Sequence, residues 1–248
     1  MFTPRKAALL ASALVSLFGF SGAAHAQAFY LQEQSVRGAG RAFSGEAADT
    51  GAQSLWWNPA AIGGLERGEG ALGVSAILPF GKVVDTGTTI ARPGQPLAPV
   101  GGDPVARNPI NKGVLPSAAI AYPLTDRVAI GLAVASPYSF TTDYEANSWT
   151  RYSADKTGLL TLDLQPLVGV AVTDWLRAGA ALNIEYNKAT LSNALPNVSP
   201  LLPDGRQKLE GDGWDLGWSA GIQLHNEVAT LGIAYKSSIR HKLKGDLE

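Results

Sequence analysis

From residue 70 onward, apolar side chains alternate with small or polar ones at a period of two, the spacing that sends successive side chains to opposite faces of a sheet. Leu72, Val74, Ala76, Leu78 and Phe80 share one face of the first predicted strand, against Ala71, Gly73 and Ser75. In the third, Val128, Ile130, Leu132 and Val134 oppose Ala129, Gly131, Ala133 and Ala135. In the fifth, Leu182, Ile184 and Tyr186 oppose Asn183, Glu185 and Asn187; in the sixth, Leu216, Trp218, Ala220, Ile222 and Leu224 oppose Asp215, Gly217, Ser219, Gly221 and Gln223. Seven such segments follow one another.

A soluble antiparallel sandwich alternates in the same way, so the period alone does not choose between a buried core and a lipid-facing wall. The connections separate the two. Roughly 35 residues (Pro79 to Gly113), about 20 (Pro137 to Lys156) and about 20 (Leu191 to Glu210) alternate with tight turns at Thr125-Asp126, Thr173-Asp174 and His225-Asn226-Glu227. Long loops on one side and tight turns on the other are the habit of outer-membrane barrels. The segments also run about 10 to 16 residues, where globular strands average about 5 or 6. Tyr122 and Trp175 fall near one membrane boundary and Tyr138, Trp149 and Trp214 near the other, as aromatic girdles require. Pro166 conflicts with a ladder and reads as a bulge in the fourth strand.

The N-terminus has a different grammar. Arg5 and Lys6 precede an apolar run from Ala7 to Phe20, and Ala24-His25-Ala26 supplies a small-x-small cleavage signature, predicting a signal peptide over 1–26 with cleavage between Ala26 and Gln27. The apolar run of about 14 residues is shorter than the roughly 20 that a spanning helix needs. Residues 27–68 then show neither strand alternation nor a sustained helical stripe, and are rich in Gly and Ala. A plug ahead of a β-wall, residues 69–248, is the division this predicts. Within the plug, Asn58-Pro59-Ala60 suits a helix start, Asn as cap and Pro at the first helical position. Arg41, Glu46 and Asp49 are expected to form ion pairs between plug and wall, where an unpartnered charge is costly. Gly38 and Gly40 are expected to let plug backbone approach the wall. Phe43 occupies the third glycine position of a dinucleotide fingerprint, and no βαβ unit follows.

The run Gly38-x-Gly40-Arg41-Ala42-x-Ser44-Gly45-Glu46 with Asn58-Pro59-Ala60 resembles the N-terminal hatch of the FadL/TodX-type outer-membrane channels. The likeness continues in order through Pro166 to Leu176, Leu191 to Ala194, Gly211 to Trp214, and Tyr235-Lys236-Ser237 with His241 to Asp246. It implies an all-β fold: an antiparallel transmembrane β-barrel with an N-terminal hatch, of which this chain writes the N-terminal half, seven of about 14 strands. An odd strand count and two open edges give the same expectation of a truncated wall, since hydrocarbon cannot satisfy an unpaired edge. The resemblance further implies passive uptake of hydrophobic compounds, long-chain fatty acids or aromatic hydrocarbons, with Phe29, Tyr30 and Leu31 leading the hatch toward the ligand and gating its transfer. Ile90, Leu97, Val100, Ile110, Leu195, Leu201 and Leu202 are the loop residues expected to form a capture groove.

Charge and chemistry narrow the picture by exclusion. The chain carries 20 basic and 21 acidic residues; loss of Arg5 and Lys6 with the signal leaves 18 against 21, a formal charge of −3, so no nucleic-acid partner is implied. Zero cysteines exclude disulfides, thiolate metal sites and cysteine nucleophiles. His225 and His241 are far apart in sequence, and no G-x-S-x-G elbow or other catalytic constellation occurs, so no enzyme, metal or cofactor is expected. The expected partners are hydrophobic small molecules, outer-membrane lipid and the outer-membrane assembly machinery. A general porin, a non-functional fragment of a transporter and a secreted β-rich binding protein are the competing readings.

Overall fold

The computed structural model describes residues 30–248; the expected signal segment, the Ala26–Gln27 junction and Phe29 lie outside the described residues. A short helix, α1 (Val36–Gly40), and three single 3-10 turns (Glu46–Ala48, Ala52–Ser54, Pro59–Ile62) form the hatch. The strands are β1 (Glu69–Ile77), β2 (Lys82–Val84), β3 (Thr89–Ile90), β4 (Ala98–Pro99), β5 (Val105–Arg107), β6 (Gly113–Pro123) and β7 (Val128–Ala135). They continue as β8 (Ser139–Asp143), β9 (Lys156–Ala171), β10 (Leu176–Leu195), β11 (Gly205–His225), β12 (Thr230–Lys236) and β13 (Lys244–Leu247). One antiparallel sheet runs in the order β1-β6-β7-β9-β10-β11-β12, with β8 also on β9 and β13 also on β11.

The sheet is inverted relative to a soluble protein. Its outer face is apolar and exposed: Leu72 is 89 % and Leu216 65 % accessible, while the opposite face buries Thr161, Asp163, Gln165, Asn183, Glu185, Ser219 and Gln223. Water does not tolerate so continuous an apolar surface, and hydrocarbon does. The hatch lies on the polar face, where Leu55 and Ile62 pack with Ala52, Ala121, Ala129, Ala133, Ala181 and Leu167 in the main buried cluster. Small residues on the wall let turns of the hatch come close to it.

The seven expected segments and their three tight turns are all present, but two segments are broken. Val134 pairs with Leu164 and Ser139 with Leu160, so five steps along the third segment match four along β9. Likewise Lys236 pairs with Ser219 and Lys244 with Asp212, eight steps against seven. Each break therefore inserts one residue and reverses which parity of side chain faces inward. This corrects the girdle assignment of Tyr138, which turns to the hatch side and packs against Tyr30, ring centres 5.8 Å apart and planes tilted by 59°. Trp149 is also displaced from the girdle, its indole N–H buried within the second long connection. Tyr122 and Trp214 are exposed on the outer face as expected, and Trp175 is exposed in the turn before β10.

Pro166 forms no bulge. Leu132 faces Pro166 and Ala133 faces Gln165 in unbroken register, and from Leu167 to Leu164 the count matches Ala181 to Ile184 on the other side. Proline removes one donor there without adding a residue. The third long connection is shorter than expected, because β10 and β11 stay paired out to Leu195 and Gly205. The first long connection folds on itself as two small sheets, β2 with β5 and β3 with β4.

Candidate functional site

The rear of the hatch is seated on glycines. Register places Ala129, Gly169, Gly179, Gly221 and Ala234 in one row across β7, β9, β10, β11 and β12. A Cβ on Gly179 would overlap the Pro59 carbonyl, one on Gly221 would overlap the Asn58 amide, and one on Gly169 would lie 2.8 Å from Ile62. Asn58 caps the Pro59–Ile62 turn through Oδ1, which accepts from the Ala60 amide at 2.9 Å. Its Nδ2 donates to Ala47 O at 2.7 Å and across to Ile222 O of β11 at 3.2 Å. Asn58-Pro59-Ala60 thus acts as a cap and as a wall anchor at once.

The remaining hatch residues correct the sequence reading in two respects. Arg41 pairs with Glu46 at 2.7 Å and Asp49 at 2.6 Å, and Arg37 with Asp49 at 3.2 Å, so this ion network is internal to the hatch. The hydrogen bonds that join wall and hatch come instead from neutral donors and one carboxylate. Gln223 Nε2 donates to Ala47 O and Asp49 O at 3.0 and 2.7 Å, and Glu69 accepts from the Ala52 amide at 3.0 Å. Gly38 and Gly40 do not approach the wall. A Cβ at Gly38 would meet Phe43 and Glu46 of the hatch, and at Gly40 nothing. Ser44 is exposed, and Gly45 adopts φ 75°, a left-handed value that glycine takes without strain, at the start of the Glu46–Ala48 turn.

The front of the hatch is fastened to the break in the third segment. Gln34 Nε2 donates to Ser136 O and Gln34 Oε1 accepts from the Ser136 amide, both at 3.0 Å, so one side chain replaces the missing ladder partner. The Leu31 amide donates to Pro137 O at 2.8 Å. Trp56 Nε1 donates to the Tyr30 hydroxyl at 3.2 Å, and burial raises the Tyr30 phenol pKa above its ordinary value despite that bond.

Between this front, the break after Ala135 and the break after Lys236 lies a cavity of about 430 Å³. Tyr30, Trp56, Tyr138, Leu159 and Ile239 give it an apolar side; Asp163, Asn183, Glu185 and Asn187 give it a polar one. Lys236 Nζ stands 2.9 Å from the centre of the Trp56 ring, linking the seventh segment to the hatch. Asp163, Glu185 and Asp215 face one another in register across β9, β10 and β11. Like charges directly opposed repel, and here they are separated by partners. Asn183 donates to Asp163 at 2.8 Å, while His241 touches Glu185 at 3.0 Å and Asp215 at 3.3 Å. Gly217 leaves room for Ile239 and thereby for the looped segment that carries His241.

Sequence reasoning did not single out Gln34, Trp56, Asp163, Lys236 or His241 as site residues. The inward parity of Glu185 and Asp215 was visible, but their alignment with Asp163 needs the register. Tyr30 lines the cavity, and Leu31 beside it is tied to Pro137. Among the described residues no group of three or more His, Asp or Glu is arranged to hold a metal ion.

Comparison with known proteins places these features in a family. The chain is 30 % identical over 252 residues to the 47 kDa outer membrane protein of Pasteurella multocida, covering 96 % of this chain and 55 % of that protein. It is 27 % identical over 270 residues to the long-chain fatty acid transport protein of Escherichia coli, covering 99 % and 56 %. It spans about half the length of the relatives it matches. The crystal structure of a Pseudomonas aeruginosa FadL homologue superposes with a TM-score of 0.70 at 23 % identity, over 87 % of this chain and 54 % of that one, which supports the fold. The family model described as outer membrane protein transport protein (OMPP1/FadL/TodX) matches residues 17–248, and this chain is therefore an outer-membrane protein of that family.

Proposed function

We propose that the chain supplies the hatch and seven wall segments of a passive, non-catalytic channel that carries hydrophobic compounds, long-chain fatty acids or aromatic hydrocarbons, across the outer membrane. Its surroundings are the lipid around the apolar outer face and, during insertion, the assembly machinery. The single observation that carries the reading is the cavity enclosed by Tyr30, Trp56, Tyr138 and Lys236. Every one of these residues both lines the cavity and ties hatch to wall, so a ligand entering it must disturb the ties. Transfer then follows displacement of the hatch front, with Tyr30 and Leu31 moving first. The similarity to the long-chain fatty acid transport protein of Escherichia coli supports the ligand class.

Tyr30 and Tyr138 form an isolated antiparallel bridge, and the chain has no cysteine of its own, so a Tyr30→Cys/Tyr138→Cys pair makes a clean lock. Uptake of labelled oleate and of toluene into cells producing this variant should fall under oxidation and return with reductant, while a small polar solute is little affected in either state. Equal uptake in both states overturns hatch-gated transfer, and rapid flux of the polar solute through the unaltered chain favours a porin.

A further inference from the structure

Beyond the aromatic pair Tyr186 and Trp214, whose ring centres are 5.2 Å apart, β10 and β11 run on in unbroken register to Leu195 and Gly205. Parity holds over that length, so Lys188, Thr190 and Ser192 share the outer face with Leu182, and Arg206, Lys208 and Glu210 share it with Leu216. Ser192 pairs with Lys208 on one side and with Lys156 of β9 on the other, which sets two lysines about 10 Å apart in one row. These side chains, with Glu248, line a groove of about 590 Å³. At about 3.3 Å per residue and the tilt of barrel strands, Lys188 lies about 5 Å and Lys156 and Lys208 about 15 Å past the aromatic pair, on the side of the long connections. The carboxylates at this level are mostly engaged. Glu210 sits 2.6 Å from both Lys188 and Lys208, Asp155 holds Arg206 at 3.1 Å and Asp143 holds Lys156 at 3.5 Å. Register sets Asp212 between Lys188 and Lys244, while Asp246, opposite Glu210, and Glu248 bound the groove on the β13 side. The Arg206 side chain is 67 % exposed against 14 % for Asp155, and Lys188 and Lys208 are 44 % and 42 % exposed against 36 % for Glu210. These cations project past carboxylates that fix their positions without covering them.

We infer that this groove is a binding site for the phosphate groups of the outer-leaflet glycolipid, held by direct ion pairs from Lys156, Lys188, Arg206 and Lys208. Its place and its geometry carry the inference. An outward side chain just past the girdle of an outer-membrane wall has lipid headgroups, not bulk water, as its neighbours. A phosphate monoester offers three strong acceptor oxygens, and cations from three adjacent strands converge on one groove here. Single exposed ion pairs are weak, so retention of the lipid depends on several cations acting on one headgroup. Such a site anchors the wall at a fixed depth in the outer leaflet. It is separate from the cavity at the hatch, and its failure leaves the channel reading standing.

Native mass spectrometry of the full chain in a neutral detergent tests this, with bisphosphorylated lipid A and with the same lipid stripped of its phosphates. EDTA is present throughout, so that divalent cations cannot bridge the carboxylates to the lipid. The phosphorylated lipid should bind at least about tenfold tighter than the stripped one. Lys156→Gln/Arg206→Gln/Lys208→Gln should reduce that ratio to about threefold or less, whereas Lys156→Arg/Lys208→Arg should keep it. Lys82→Gln/Lys112→Gln, elsewhere on the same side of the wall, should leave it unchanged. Binding of the stripped lipid shows that a variant is folded; should the triple variant fail to fold, Lys156→Gln and Lys208→Gln singly, each lowering the ratio, decide. Equal binding of the two lipids, binding of neither, an undiminished ratio in the folded glutamine variants, or an equal loss in Lys82→Gln/Lys112→Gln overturns the inference. Displacement of the lipid by millimolar inorganic phosphate overturns it too, since the groove is then a site for soluble anions.

Discussion

Replacing Gly179 by alanine adds a single carbon where wall backbone and hatch backbone approach closely. The new Cβ would lie 2.5 Å from the Ala60 amide nitrogen, where ordinary contact begins at 3.4 Å, so the Pro59–Ile62 turn must retreat by about 0.9 Å. Neither side yields readily, since both are backbone and Gly179 is paired on both edges, to Gly169 and Gly221. The same retreat carries Asn58 Nδ2 from 3.2 Å to beyond bonding distance of Ile222 O. Overpacking costs about 1–3 kcal/mol and the stranded buried amide about 1–3 kcal/mol more, roughly 2–6 kcal/mol together. The loss falls on seating of the hatch, because the strand pairs themselves are unaltered. Hydrogen exchange reads it at the Ala61 and Gly63 amides, which donate to Asn58 O and Ala60 O. At about 1.4 kcal/mol per tenfold, protection there should fall at least thirtyfold or so, with β10 amides little changed. Gly158→Ala is the control: its Cβ would meet nothing nearer than Thr190 at 3.7 Å, and it should be neutral or slightly stabilising. Wild-type protection in Gly179→Ala, or equal damage from Gly158→Ala, refutes the glycine-seat argument.

Gln34→Ala should free the front of the hatch by unpairing both backbone groups of Ser136, at about 2–4 kcal/mol, seen as faster proteolysis near Leu31 with Ala61 still protected. Lys236→Met keeps the stem and removes the charge from the Trp56 ring, weakening that contact by about 0.5–2 kcal/mol; a changed Trp56 emission with intact strands is the expected signature. In the connection between β10 and β11, burial resists ionisation of Asp204. The Tyr152 hydroxyl at 2.7 Å, the Asn197 amide at 3.2 Å and the charges of Arg151 and Arg92 nevertheless hold its pKa below the ordinary value. A depressed folded pKa means that this stabilisation is present above about pH 4, the unfolded value, and disappears as pH falls below it. Cleavage in the Asn197 to Asp204 loop by an acid-tolerant protease should therefore accelerate only below about pH 4, and acceleration already at pH 6 contradicts the assignment.

The wall was legible because alternation is a local code: the outward set Leu72, Val74, Leu216 and Trp218 follows from parity alone. Parity fails where a residue is inserted. Tyr138 has the parity of Ile130 and Leu132, which face outward, and only the extra step between Val134 and Ser139 turns it inward. The row of Gly169, Gly179 and Gly221 is equally invisible in sequence, since it exists only once β9, β10 and β11 are in register. Within the hatch, Asn58 was readable as a cap from its own sequence, whereas its second bond to Ile222 spans 164 residues. The ion pairs of Arg41 went to nearby Glu46 and Asp49 rather than to the wall because short separations close at little entropic cost.

These details separate the hatch mechanically into two parts. The rear, Leu55 to Ile62, is clamped by apolar burial, close backbone contact and Asn58, and nothing in the cavity touches it except through Trp56. The front, Tyr30 to Gln34, is held by one amide side chain, one backbone bond, the Ser75 hydroxyl donating to Glu33 O at 3.1 Å, and aromatic contacts at the cavity rim. Each of those front contacts is individually worth about 1 kcal/mol or less on balance, whereas displacing Leu55 or Ile62 sacrifices several. Motion driven by a ligand of ordinary affinity should therefore stop at the front. Hydrogen exchange with and without bound oleate should change at Leu31 and Ser136 and leave Ala61 and Gly63 as they were. Loss of protection at Ala61 to the same degree would mean that the hatch moves as one body, and that the glycine row is a sliding surface rather than a seat.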